Sequence, residues 1–189
     1  MRFCLFLLTM LPMVCFAQFK ASHLGVVTEN GDKDYHVVEF DGKTANELYE
    51  GVLKWVNENF KNPDIVANSI ENSMINIHAF YNDAYLYSNQ GLGFKYYAKV
   101  DVNYIIKFKD GKIRFDCPVV NEMYIRDNGK NLPITFSGNK QFMYVVRNLF
   151  SEDGKPQKNK QIERFNIFIN EYVNSICDYI NSPKTDDNW

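Results

Sequence analysis

The chain has 189 residues, of which 46% are hydrophobic and 15% aromatic, with 21 basic against 23 acidic side chains and a net charge of −2. That length supports one domain with a sizeable core. The mild acidity lacks the Lys/Arg excess that a nucleic acid or an anionic membrane surface demands of its main partner, so no nucleic-acid partner is expected.

The first seventeen residues, MRFCLFLLTMLPMVCFA, predict a secretory signal peptide. Arg2 supplies a positive start, Phe3 to Phe16 form an apolar run too short to span a bilayer comfortably, and Cys15 and Ala17 are small residues where a signal peptidase reads. Cleavage at Ala17–Gln18 would place the chain in the periplasm, the cell envelope or the medium. A lipoprotein lipidated on Cys15 is the alternative, although Pro12-Met13-Val14 does not supply the small residues expected before such a cysteine. No later stretch is long and apolar enough for a membrane span. Processing would leave 172 residues with 20 basic and 23 acidic side chains, and two cysteines, Cys117 and Cys177. Two cysteines do not build a disulfide scaffold, although a single bridge stays open as an alternative to two buried thiols. There is no CxxC, and His23, His36 and His78 are scattered, so neither a metal site nor a cofactor is expected.

Residues 18–33 carry little pattern and predict an irregular lead-in to a single α+β domain over 34–181, followed by a disordered tail at 182–189. HVVEF (36–40) predicts a strand. A helix follows over 45–60, with Thr44 as N-cap, Glu47 completing a capping box, and Leu48, Val52, Trp55 and Val56 at helical spacing. Asn62-Pro63 ends it. DIVANSI (64–70) and SMINIHAF (73–80) read as two strands about Glu71-Asn72, with His78 on the polar face opposite Ile75, Ile77 and Ala79. A lone histidine there reads as a surface or satisfied residue. The stretch from Tyr81 to Gly93 reads as a polar, aromatic connection.

VDVNYIIKFKDGKIRFDC (100–117) is a hairpin about Asp110-Gly111, a type I′ turn signal. Its register sets Phe108 against Ile113, Ile106 against Phe115 and Tyr104 against Cys117, so the apolar residues share one face. The other face collects Lys107, Lys109, Lys112 and Arg114. A solvated face that discourages aggregation is the plainer reading of those charges, and a binding patch the sharper one. A strand near 122–126 continues the sheet. NKQFMYVVRNLF (139–150) fits both helix and strand, with helix preferred. Residues 151–160 form a loop, and 159–181 a final helix with Ile162, Phe165, Ile169, Tyr172, Val173, Ile176 and Ile180 along one side.

An antiparallel sheet with one apolar face and two amphipathic helices resolves most simply by packing both helices on that face. This order, together with Gly42, Lys43, Thr44, Leu48, Tyr49 and Trp55 and the strand ending in Lys-Asp-Gly-Lys, resembles a family of secreted bacterial proteins known as domain of unknown function 4468. The resemblance covers roughly residues 36 to 117. It implies a TBP-like fold, a curved antiparallel sheet with two main helices on one face, and it brings no catalytic or ligand residues with it.

No HExxH, G-x-S-x-G, Walker-type loop or G-x-G-x-x-G before a helix occurs, and no catalytic residue is assigned. The expectation is a non-enzymatic module that binds an unidentified protein or glycan through its open sheet or through the aromatic stretch 80–97. Tyr85, Tyr87 and Tyr97 are the contact candidates there, flat apolar groups with polar handles, and Lys107 and Arg114 are the candidates on the hairpin. A hydrolase with an unrecognised acidic site, using Asp101 and Asp116 across one face, is the alternative.

Overall fold

The computed structural model describes residues 19–88, 95–138, 141–142 and 145–182. The expected leader with its Ala17–Gln18 junction, Cys15, Phe94 and the tail from residue 183 lie outside them. In chain order the elements are β1 (Phe19–Ser22), β2 (Gly25–Thr28), β3 (Tyr35–Glu39), α1 (Ala45–Asn59), α2 (Pro63–Val66), β4 (Ala67–Ile70), β5 (Met74–Ser88), β6 (Lys95–Lys109), β7 (Lys112–Asp116), β8 (Val119–Asp127), β9 (Lys130–Pro133), β10 (Thr135–Ser137), β11 (Gln141–Phe142), β12 (Val145–Val146), β13 (Asn148–Phe150) and α3 (Asn159–Asn181).

The main sheet is antiparallel and built around β6. That strand pairs with β5 along most of its length on one edge, and on the other edge with β7 and β8 in tandem. β3 and β4 extend the sheet outward from β7 and β5, and β9 extends it from β8. Alternation explains the layering. Ala98, Val100, Val102, Tyr104, Ile106 and Phe108 are buried, while the intervening residues of β6 are not. Phe108 lies against Ile113 and Ile106 against Phe115, the register expected from the turn; the β6–β7 ladder stops at Phe115, so Cys117 does not pair with Tyr104.

α1 and α3 cover the apolar face, and Leu48, Val52, Trp55 and Val56 of α1 meet Phe165, Ile169, Tyr172 and Ile176 of α3 in one core. Thr44 and Glu47 form the capping box. The β6–β7 turn adds a second cap, because Asp110 Oδ1 accepts the Ala45 N–H at 2.8 Å. Gly111, at φ +72°, donates to the Lys43 carbonyl at 2.7 Å, and its own carbonyl accepts the Phe40 N–H at 2.7 Å. The turn therefore docks the helix start onto the sheet. Two side-chain contacts tie α3 to its neighbours: Trp55 Nε1 donates to Ser175 Oγ at 3.1 Å, and Tyr104 stacks on Tyr172 with ring centroids 3.8 Å apart.

Four expectations need correction. Residues 19–28 form the β1–β2 hairpin, not an irregular lead-in, with Phe19 buried against α3. Residues 63–66 make one helical turn before β4, because Pro63 occupies the N1 position where its missing N–H costs nothing. The described parts of 139–150 are strands, β11 to β13, not a helix. Arg147, Asn148, Leu149 and Phe150 are buried consecutively, which a strand covered on both sides allows and an amphipathic helix does not. Finally, β5 does not stop at Phe80. A bulge takes up Asn82–Ala84 and the strand resumes to Ser88. Of the two thiols, Cys177 is buried and Cys117 half-buried, and they are not bridged.

Replacing Asp110 with Ala removes the cap donated by the turn and should cost about 1 kcal/mol in denaturant melts, without change in secondary structure. A second prediction concerns acid. Burial holds His36, which meets the Phe19 ring edge-on, below the usual imidazole value of 6.5. The folded chain thus prefers the neutral ring and the unfolded chain binds the proton more readily. Its contribution is complete above about pH 6.5 and declines as pH falls through the lower folded-state value, so His36→Gln should flatten the loss of stability between pH 7 and 5.

Candidate functional site

The face of the sheet away from the helices is the open one, and the odd-numbered residues of β6 line it. Near the middle, His78 Nε2 lies 2.7 Å from Asp101 Oδ1, and Asn121 Nδ2 donates to the same oxygen at 2.9 Å. His78 and Asp101 sit diagonally across the β5–β6 pair. Asn121 reaches Asp101 because β8 carries one extra residue there: Glu122 pairs with Asp101 and Val120 with Val102. The bulge turns both Asn121 and Glu122 to solvent and returns Met123 to the core.

Beside this polar cluster the Phe80 ring, 48% exposed, approaches Tyr124 with centroids 6.4 Å apart. Val119 and Tyr97 are exposed on the same face. Lys99, between Tyr97 and Asp101, donates to Asn82 Oδ1 at 2.6 Å. The result is an aromatic pair, Phe80 and Tyr124, beside a fixed imidazole–carboxylate–amide group, with Tyr97 exposed farther along the same face.

The five residues picked from sequence divide. Tyr97 is exposed as expected. Tyr85 and Tyr87 are buried: after the bulge the alternation resumes in phase and turns both rings under α3, where Tyr85 meets Phe165 edge-on at 5.9 Å. Burial pushes the phenol of Tyr85 well above its ordinary value, as it does for Tyr104 and Tyr172. A contact surface made of Tyr85, Tyr87 and Tyr97 together is therefore not what the chain builds. Lys107 and Arg114 lie on the open face, but both hold Asp116, at 2.7 and 2.5 Å, and Arg114 also lies 3.9 Å over the Tyr35 ring. Their charge is largely answered from within the chain, which fits the solvated-face reading of the hairpin.

The two acids of the hydrolase alternative do not meet. Asp116 follows Phe115, whose partner on β6 is Ile106, five residues along that strand from Asp101, and each carboxylate has its own partners. Among the described residues no three His, Cys, Asp or Glu side chains come together as metal ligands would. The His78–Asp101–Asn121 group escaped sequence reasoning because its members sit 20 and 23 residues apart and meet through a diagonal and a bulge. Alternation placed His78 and Asp101 on one face, and that was the available signal.

The hydroxyls of Tyr85, Tyr87, Tyr104 and Tyr172 are buried and meet no hydrogen-bond partner among the described residues. Tyr85→Phe and Tyr104→Phe should therefore leave stability unchanged or raised, while Tyr85→Ala should cost about 3–5 kcal/mol by emptying the core. A large loss of stability in the Phe variants would show that the hydroxyls have partners.

Residues 35–119, from β3 to the start of β8, match the family described as a domain of unknown function (DUF4468) with TBP-like fold. A TBP-like protein from Parabacteroides distasonis ATCC 8503 superposes with a TM-score of 0.53 at 14% identity, covering 79% of this chain and 92% of that one. A DUF4468 family protein from Bacteroides ovatus ATCC 8483 shows 11% identity and a TM-score of 0.46 over 80% of this chain and 86% of that one. No curated protein matches. At such identities the likeness is one of fold and carries no activity across. The Gly42–Trp55 signature and the β6–β7 hairpin both lie inside the matched segment, and residues 35–119 carry the DUF4468 pattern on a TBP-like fold.

Proposed function

We propose that this protein is an exported, non-enzymatic binding module that takes a protein or glycan partner on its open sheet face. The observation that carries the reading is the open face that sets Phe80 and Tyr124 beside Asp101 and the His78 and Asn121 groups bound to it, with Tyr97 exposed farther along the same strand. Exposed aromatic rings offer flat apolar area, and a rigid imidazole, carboxylate and amide beside them fix orientation at low entropic cost. Both long helices are spent on the opposite face, so nothing in the described fold shields this one. Export rests on the leader pattern at residues 1–17. Among the described residues no helix is long and apolar enough to cross a membrane.

The imidazole gains little as a catalyst from its position. A His–Asp pair needs a nucleophile or a bound water in a recess, and His78 is more than half exposed on an open sheet.

Capture of partners from native envelope extract by the tagged protein tests the reading. Joint replacement of Phe80, Tyr97 and Tyr124 by Ala should abolish capture of a discrete protein or glycan while moving stability by only about 0.5 kcal/mol per site. Unchanged capture would overturn the open-face assignment. Mass analysis of the native protein should find a start at Gln18 and no lipid, and an acylated Cys15 would make it an anchored lipoprotein instead.

A further inference from the structure

The open face carries one arrangement twice. Tyr35 of β3 stands directly across from Asp116 of β7, and Arg114, two positions before that aspartate, touches both. Its guanidinium lies 3.9 Å over the Tyr35 ring, and its Nε donates to Asp116 Oδ1. Phe80 of β5 likewise stands directly across from Asp101 of β6, and the residue two positions before this aspartate is again basic, Lys99. Lys99 turns elsewhere. Asn82, in the β5 bulge, accepts its ammonium on Oδ1 at 2.6 Å. Among the described residues, the second aromatic–aspartate pair therefore has no Lys or Arg of its own.

The contacts that Asp101 does make leave acceptors facing outward. A carboxylate only accepts, so His78 Nε2 and Asn121 Nδ2 both donate to Asp101 Oδ1. The polar atoms that remain are Asp101 Oδ2, Asn121 Oδ1 and, in the neutral ring, His78 Nδ1. All three accept, and among the described residues none of them has a partner. Phe80, 48% exposed, and Tyr124 supply aromatic surface beside them.

We propose that this group receives an arginine side chain of a partner protein, its guanidinium laid over the exposed Phe80 ring and its N–H groups given to Asp101 Oδ2 and Asn121 Oδ1. The proposal rests on the open-face reading and narrows it to one chemistry. A guanidinium is planar, always charged and only donates, so it suits an acceptor-only group beside a ring better than a compact ammonium does. A glycan hydroxyl both donates and accepts, and the nearest donor on the strand, Lys99, is already given to Asn82. Charge agrees as well. Glu122, directly across from Asp101 on β8, is exposed and has no ion pair among the described residues. Lys107 and Arg114 are held at Asp116, and Arg126 lies two residues beyond Tyr124 on β8. The site that Arg114 fills at the edge of the sheet is thus left open to another chain near its middle.

The test titrates the purified protein with end-blocked Gly-Arg-Gly, Gly-Lys-Gly and Gly-citrulline-Gly peptides and with a neutral disaccharide. NMR follows the side-chain amide of Asn121 and the rings of Phe80 and Tyr124. The arginine peptide should saturate these signals and bind about tenfold more tightly than the uncharged citrulline peptide, the loss expected when a charged hydrogen bond is replaced by a neutral one. The lysine peptide should fall between them. Asp101→Asn should erase the preference for arginine over citrulline. Equal binding of the arginine and citrulline peptides, saturation by the disaccharide instead, or no movement of these signals with any probe would each overturn the proposal, and none of these three outcomes depends on a variant that folds. Partner capture separates the two ideas. If joint replacement of Phe80, Tyr97 and Tyr124 abolishes capture and Asp101→Asn does not, the open-face reading stands and the arginine proposal falls. Capture that survives both changes overturns the open-face reading itself.

Discussion

The fold depends on the unbroken two-residue alternation of β6. From Ala98 to Phe108 every second side chain is buried, and that single strand carries β5 on one edge and both β7 and β8 on the other. A slip of one residue would turn all of them outward at once, so the register of β6 sets the register of three neighbours. The tight Asp110-Gly111 turn fixes it at one end. The same turn supplies a cap to α1, so helix position and strand register are set by one pair of residues.

The helical layer answers that apolar face with aromatic rings. Tyr104 from the sheet stacks on Tyr172, which meets Trp55 edge-on at 5.0 Å, and Tyr81 packs against Phe168 at the same distance. Aromatic pairs of this geometry contribute beyond their buried area. They also account for the density of tyrosine in the sequence, which composition alone allows to be read as a binding surface. The aromatics of 80–97 divide between the two sides: Tyr81, Tyr85 and Tyr87 serve the core, Phe80 and Tyr97 the open face.

Local signals were legible where the physics is local. The Thr44–Glu47 capping box, the helical stripes and the Asp110-Gly111 hairpin all act within a few residues, and the two long helices and the hairpin stand where those signals placed them. The bulge at Asn82–Ala84 left no such mark, because a polar, aromatic stretch is compatible with both a loop and an interrupted strand; this is why Tyr85 and Tyr87 read as loop residues. The β1–β2 hairpin was hidden for a different reason. Its edge is satisfied by asparagine side chains from the far end of the chain, 145 and 151 residues away, and no local pattern announces that. The candidate site was half legible, in that alternation gave the shared face of His78, Asp101 and Tyr97 while Asn121 required the bulge in β8.

That bulge links the irregularity of the sheet to the chemistry it displays. Removing Asn121 would restore a regular β6–β8 ladder, keep Met123 and Ile125 inward and leave the core undisturbed, yet it would withdraw the amide that holds Asp101. The open-face group can therefore be lost by a single-residue deletion while the fold persists. In this chain the extra residue in the strand that follows the hairpin is thus what separates a sheet that presents the imidazole–carboxylate–amide group from one that would supply only the scaffold.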